Sequence, residues 1–176
     1  SLLFFFLAIF SKEDIALLTF IISFVYFISL RNKQMLWFMG ISSVYLFSIF
    51  YVYFPHFVPG GYPYLGSKGL FSDINPIYLF DTKEKQQVII YSLGWFGLLP
   101  LLSPLYLLPF ITDLSHYFIF GGSVVTSADG LFMHYRSSAG LLLVLPTIIF
   151  ISKYKKLNNV YTGIYLLFFP LFFQYY

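Results

Sequence analysis

Three consecutive ionisable side chains, Lys12, Glu13 and Asp14, separate two apolar runs, "SLLFFFLAIF" at 1–10 and "IALLTFIISFVYFISL" at 15–30. Burying these charges at the centre of a bilayer would cost roughly 8–10 kcal/mol, at about 2.5–3.5 kcal/mol each. We therefore expect them at a membrane edge or in a polar cavity, where ionisable groups are functional candidates. A carboxylate there could act as a general base or hold a divalent cation that bridges a lipid phosphate. The alternative is a solvated turn in which the lysine and glutamate pair locally.

A second group of candidates follows the apolar run 35–54. In "FPHFVPGGYPYLG", His56 stands where a helix would emerge into a Gly/Pro-rich segment, and Tyr62 and Tyr64 come shortly after it. Histidine can shuttle a proton or bind phosphate, and the tyrosine rings could stack on a sugar. The alternatives are a structural histidine and tyrosines that anchor the chain at the lipid headgroups.

A third group lies late in the chain. Asp113 and His116 are three residues apart and would share one face of a helix. They could form half of a metal site, but a complete site usually has three or four ligands, so we assign no metal ligands. In "HYRSS", His134 supplies an imidazole and Arg136 a guanidinium whose planar geometry matches phosphate.

The composition indicates an integral membrane chain whose first partner is the lipid bilayer. Hydrophobic residues make up 59% of the 176 residues, aromatic residues 24% and charged residues only 10%, with a mean hydropathy of +0.81, whereas about a quarter of the residues are charged in soluble domains. The absence of cysteine excludes disulfides and thiolate metal sites. No basic run interleaved with aromatics indicates nucleic-acid binding, and no G-x-S-x-G, Walker or H-E-x-x-H motif is present.

The apolar segments predict an all-α fold, a polytopic transmembrane helix bundle of about six or seven membrane segments. They form a single transmembrane domain over residues 1–176, which we expect to be part of a longer protein, and they lie at 1–10, 15–30, 35–54, 88–120, 137–152 and 160–176. The connectors 31–34 and 153–159 carry five Lys/Arg and no acidic residue, so both should face the cytoplasm. Segments 55–87 and 121–136 then become extracytoplasmic loops, the first with a short amphipathic helix near 73–81 capped by Asp73.

The segment 88–120 must turn back within itself for this topology to close. It contains Pro100, Pro104 and Pro109 after two glycines, and proline removes a backbone donor and clashes with the preceding helical turn. We predict two short helices, about 88–99 and 104–118, as a broken helix or re-entrant pair, which is tolerated at membrane depth only when shielded by protein or water. The alternative is one kinked membrane helix.

Four blocks, "KED" at 12–14, "PHF" with "YPYLG" at 55–66, "GLLPLLSPLYLLPFITDL" at 97–114 and "HYRSSAGLLLVLP" at 134–146, occur in a familiar order. Over roughly residues 10–150 the chain resembles the bacterial and archaeal membrane family called domain of unknown function 2079. That family is similar in architecture to the C-type (GT-C) membrane glycosyltransferases. The resemblance implies a prokaryotic plasma-membrane location, a polyprenyl-phosphate sugar donor and chemistry on the extracytoplasmic face. Such enzymes usually place a catalytic acid after their first membrane helix, a part that would precede Ser1.

Under this resemblance the chain belongs to a glycosyltransferase-like enzyme. Glu13, Asp14 and His56 would be catalytic, with Glu13 or Asp14 as the base or as a ligand of a divalent cation. A transporter or flippase with a midplane site at the broken helix and a membrane scaffold without chemistry are the other candidate functions. Substrate-binding roles fall to Lys12, Tyr62, Tyr64, Asp113, His134 and Arg136.

Overall fold

A computed structural model of the protein describes residues 2–58, 76–120, 137–153 and 160–168. All regular structure in these ranges is helical, which confirms the all-α prediction. The chain divides into two compact units, residues 1–75 and residues 76–176, and each is described by itself.

In its described part, residues 2–58, unit 1 contains three helices that run up, down and up. They are α1 (Leu2–Ser11), α2 (Glu13–Leu30) and α3 (Gln34–Phe57). Ring contacts of Phe5 with Phe38 and of Phe10 with Tyr45, at centroid distances of 4.6 and 5.3 Å, show that α1 runs parallel to α3. Arg31, in the left-handed conformation, ends α2 and lets the chain reverse tightly into α3.

The helix α3 is longer than the predicted 35–54 and extends three residues into the segment predicted as a loop. It continues from an α-helical part, Gln34–Phe47, through a π-helical turn, Ser48–Tyr53, to a last α-helical turn, Phe54–Phe57. The wide turn is visible in the bond from the Phe54 amide to the Ile49 carbonyl, five residues back. Pro55 follows immediately and has no amide hydrogen to donate, which is a reason for the altered backbone pattern at this point.

Unit 1 buries several small side chains together with Ile9 and Val25, and it exposes many large apolar side chains. Ala16, Ser23 and Ser42 are buried, and the Ser42 hydroxyl lies 3.2 Å from that of Thr19 on α2. By contrast, Trp37 is 76% exposed. Further exposed apolar side chains are Phe4, Leu7, Phe10, Leu30, Val44 and Phe47.

Unit 2 contains a 3₁₀ turn at Pro76–Leu79 and four helices in its described part: α4 (Lys83–Gly94), α5 (Pro104–Phe120), α6 (Ser137–Lys153) and α7 (Val160–Phe168). The short amphipathic helix expected near 73–81 is a 3₁₀ turn at Pro76–Leu79 in its described part, and Asp73 lies outside the described residues. The helix predicted at 88–99 begins and ends five residues earlier. It begins there because the Thr82 hydroxyl accepts a bond from the Lys85 amide at the helix start.

Two helices separated by a break form in the region predicted to turn back. Gly97 and Leu98 have φ values of +61° and +58° and stop α4, and a 3₁₀ turn at Leu99–Leu102 leads to Pro104, the first residue of α5. The Lys85 ammonium at the start of α4 donates to the Phe118 carbonyl near the end of α5 at 3.0 Å. The helices α4 and α5 are thus antiparallel, and the alternative prediction of one kinked membrane helix is wrong.

An apolar core joins α4, α5 and α6. It consists of Val88, Leu93, Leu107, Phe110, Leu114, Phe118 and Leu143. The helix α7 reaches the break, where the Tyr165 hydroxyl donates to the Gly97 carbonyl at 3.0 Å. A β-carbon at position 97 would run into the Tyr165 ring, so this approach, like the positive φ, requires glycine.

Candidate functional sites at the helix ends

The charged turn between α1 and α2 is an ion pair built on the first turn of a helix. Lys12 has an extended backbone before Glu13, the first residue of α2, and its ammonium lies 2.5 Å from Oδ2 of Asp14. A carboxylate in the first turn also interacts favourably with the helix dipole. Lys12 therefore pairs locally with Asp14. The expected pair with Glu13 stays a prediction, because the Glu13 side chain lies outside the described part of the structure.

The two members of this pair differ in their access to solvent. The Lys12 side chain is 48% exposed, whereas that of Asp14 is 14% exposed. An approaching anion, such as a phosphate, would meet the ammonium first, with the carboxylate behind it. In this geometry Lys12 is suited to binding phosphate. Asp14 is suited to holding Lys12 in place rather than to acting as a base on a substrate hydroxyl.

His56 is oriented by the backbone of its own helix. Its Nδ1 lies 2.8 Å from the Val52 carbonyl, and because a carbonyl can only accept, Nδ1 carries the hydrogen. The exposed ring therefore presents Nε2 outwards, the arrangement used by histidines that accept a proton or bind a ligand.

The structure places His56 and Asp14 at different heights in unit 1. The Thr19–Ser42 contact fixes the antiparallel register of α2 and α3, so Asp14 lies level with residue 47, nine residues before His56. At about 1.5 Å per residue, their separation along the axis is roughly 13 Å. A single reaction centre containing both side chains would need other groups between them.

Several predicted site residues fall where the structure gives no side-chain description. Tyr62, Tyr64, His134 and Arg136 lie outside the described residues, as does the side chain of His116. Asp113 is half-buried in the interior of α5. Within the described ranges, no three His, Asp or Glu side chains come together as a metal site.

Among the described residues, Lys85 is the charged side chain with the most complete set of hydrogen-bond partners. It was not among the residues predicted from the sequence. Its ammonium donates to the carbonyls of Tyr78 and Phe118, at 2.8 and 3.0 Å, and pairs with Asp81 at 2.8 Å. All three ammonium hydrogens therefore have acceptors. The Phe118 carbonyl belongs to the last turn of α5, whose carbonyls have no partners within the helix, so Lys85 caps α5 while belonging to α4.

Only part of this arrangement was readable from the sequence. Asp81 stands four residues before Lys85, the spacing of a helical ion pair. However, Asp81 precedes the helix, and Phe118 is 33 residues away in the chain. The buried position of Lys85 therefore depends on the turn between α4 and α5.

Comparisons with protein-family models, with curated proteins and with solved structures find no match for this chain. The family resemblance therefore rests on the four sequence blocks given above.

Proposed function

We propose that this chain is a helical membrane-spanning part of an integral membrane protein. The observation that carries this proposal is the surface of unit 1, where many large apolar side chains are exposed while hydroxyl and small groups are buried together with Ile9 and Val25. Water opposes the exposure of so many large apolar side chains, whereas lipid accepts them and favours small residues between helices. The helix Gln34–Phe57 is long and apolar enough to cross a membrane, and Asp14–Leu30 and Gly140–Lys153 are shorter apolar helices.

The exposed hydroxyl groups support the same placement. Ser43 and Ser48 are exposed, yet their hydroxyls donate to the carbonyls of Met39 and Val44, four residues back, at 2.9 and 2.8 Å. In lipid, where water is absent, this back-bonding satisfies each hydroxyl within its own helix.

A membrane position also accounts for the charges at 12–14. The 18 residues of α2 span about 27 Å at about 1.5 Å per residue, close to the hydrocarbon thickness of about 30 Å. If Arg31 lies at one surface of the hydrocarbon layer, Lys12 lies at the opposite surface, and neither charge is buried in lipid. In the proposed topology the turn 31–34 faces the cytoplasm, and Lys12 and the segments 55–87 and 121–136 face outwards across a plasma membrane.

Single-cysteine labelling tests this topology, because the chain has no cysteine of its own. In whole cells, we expect a membrane-impermeant maleimide to label Lys12→Cys at once and Lys33→Cys only after permeabilisation. Val44→Cys is the informative control, since its side chain lies on the protein surface, 68% exposed, and only lipid would shield it. Rapid labelling of Val44→Cys would contradict the membrane placement.

For the activity, we propose transfer of a sugar from a polyprenyl-phosphate carrier at the outer face. This proposal draws on the resemblance together with one structural feature, the exposed ammonium of Lys12 held by Asp14 at the predicted headgroup level. A phosphate that gains charge as the sugar leaves would be stabilised by such a cation. The proposal also assigns substrate binding to polar groups of the outer segments, and it includes a divalent cation held by carboxylates.

A transfer assay in membranes containing the intact protein tests this activity. We expect Lys12→Gln to abolish most transfer, Lys12→Arg to retain part of it, and Glu13→Gln to report whether Glu13 is the base. Glu84→Gln, which removes an exposed carboxylate of α4, is the matched control. Transfer that survives Lys12→Gln and Glu13→Gln would assign the charged turn a structural role.

A transporter or flippase is the second candidate, because Asp113 lies within α5 rather than at its end, and α5 adjoins the backbone break. Ionisable groups inside a helix beside broken backbone are typical of transporter binding sites. Asp113→Asn would then abolish substrate flux, whereas under the glycosyltransferase proposal flux would not occur in the wild type.

A further inference from the structure

The turn between α2 and α3 carries two cations and no acid. Arg31 ends α2, Lys33 precedes α3, and both side chains are exposed. Among the described residues, neither side chain forms an ion pair or a hydrogen bond. The turn therefore presents two uncompensated positive charges.

Three other described cations near helix ends are engaged locally, whereas Lys83, the first residue of α4, is exposed. Lys12 pairs with Asp14 and Lys85 with Asp81, and the Lys153 ammonium lies 6.0 Å from the Tyr106 ring centroid. Internal partners thus neutralise or occupy these charges. Lys83 stands between Asp81 and Glu84 in the sequence, whereas the turn 31–34 contains no acidic residue, so the charges of Arg31 and Lys33 remain available to a partner outside the chain.

Apolar side chains surround these cations on the protein surface. Trp37, one turn after Lys33 and so on the same face of α3, is 76% exposed, and Leu30 and Leu36 are 63% and 47% exposed. Tryptophan is enriched at the level of lipid headgroups, where its ring is in contact with both phases. A cation beside such a ring therefore lies at the depth of the lipid phosphates.

The first amides of α3 are already hydrogen-bonded and do not compete for this anion. The Gln34 amide donates to the Asn32 side-chain oxygen at 3.0 Å, and the Met35 and Leu36 amides donate to the carbonyls of Asn32 and Lys33. Recognition of an anion would therefore depend on the Arg31 and Lys33 side chains.

We propose that the turn 31–34 is a binding surface for anionic phospholipid headgroups, with Arg31 and Lys33 on the phosphates and Trp37 at the acyl boundary. This inference rests on the membrane placement proposed above. It adds to it a preference for anionic over zwitterionic lipid at one defined place. The charge complementarity and the neighbouring apolar side chains favour a lipid surface over a soluble anion.

Tryptophan quenching tests this proposal, because the chain has two tryptophans and Trp95→Phe leaves Trp37 as the sole emitter. The variant is reconstituted in mixed vesicles of phosphatidylcholine and phosphatidylglycerol. In one preparation the phosphatidylcholine is brominated, and in the other the phosphatidylglycerol is brominated. Each Lys or Arg near an anionic surface favours binding by about fivefold, so we expect brominated phosphatidylglycerol to be enriched at Trp37 by up to about 25-fold. Salt should reduce this enrichment.

Two further variants assign the effect to the turn. The double variant Arg31→Gln, Lys33→Gln should lose the preference for anionic lipid. The double variant Arg31→Lys, Lys33→Arg keeps both charges and should retain the preference, which would show that the turn tolerates substitution at both positions. Lys83→Gln, which removes an exposed cation elsewhere, should leave the preference unchanged.

The outcomes separate this proposal from the one on which it rests. Equal quenching by both brominated lipids would refute the anionic preference and leave the membrane placement intact. A preference that persists without Arg31 and Lys33 would refute their role. Absence of quenching by either lipid would refute the membrane placement and the lipid surface together.

Discussion

Replacing Lys85 by methionine should destabilise unit 2 although it removes a charge from the interior. The Lys85 side chain is 8% exposed, and methionine matches its aliphatic part. The substitution removes the charged hydrogen bond to the buried Phe118 carbonyl, which costs about 1–3 kcal/mol, and it also removes the bond to the less buried Tyr78 carbonyl. Asp81 is a third exposed and can be rehydrated, so it adds little. Relief from dehydrating an ammonium offsets part of the loss, and we expect a net decrease of about 2–3 kcal/mol in the free energy of unfolding.

The measurement is equilibrium unfolding in detergent micelles, followed by the fluorescence of Trp95 in a Trp37→Phe background so that the signal reports on unit 2. Lys83→Met is the matched control, because Lys83 is an exposed lysine of the same helical turn, and it should change the free energy by less than about 0.5 kcal/mol. If Lys85→Met is no more destabilising than Lys83→Met, the bonds from Lys85 do not hold the two helices together and the reasoning is refuted.

Three further substitutions test other contacts. Gly97→Ala should destabilise unit 2 by more than about 1 kcal/mol, because the left-handed backbone and the Tyr165 ring both oppose a β-carbon; the same unfolding assay checks this, and an unchanged midpoint would contradict it. The hydroxyls of Thr19 and Ser42 should show a coupling of about 0.6 kcal/mol in a double-mutant cycle with Thr19→Val and Ser42→Ala, whereas additive effects would mean that their contact contributes nothing. Asp14→Asn should cost only about 0.2–1 kcal/mol in thermal unfolding, since its partner lysine is half exposed, and a larger loss would show that Asp14 is part of the fold.

The candidate sites were predictable to unequal degrees. A local ion pair of Lys12 could be anticipated because acidic residues follow it directly in the chain, but the sequence analysis named Glu13 as the partner and the structure shows the pair with Asp14. The orientation of His56 was not readable, because it depends on which backbone carbonyl the π-helical turn places beside the ring. Lys85 escaped the sequence analysis because one of its partners comes from a helix 33 residues away.

The sequence by itself determined that the chain is helical, where most of the helices lie, and that the proline-rich segment breaks. These properties follow from hydrophobic runs and from backbone groups that proline removes, both of which act over a few residues. Only the tertiary structure decided that α1 is parallel to α3, that Ser23 and Ser42 are buried in unit 1, that Lys85 caps the end of α5, and that Tyr165 bonds the backbone at the break. Those outcomes depend on which helix faces meet and which backbone carbonyls need donors, and these are properties of elements distant in the chain.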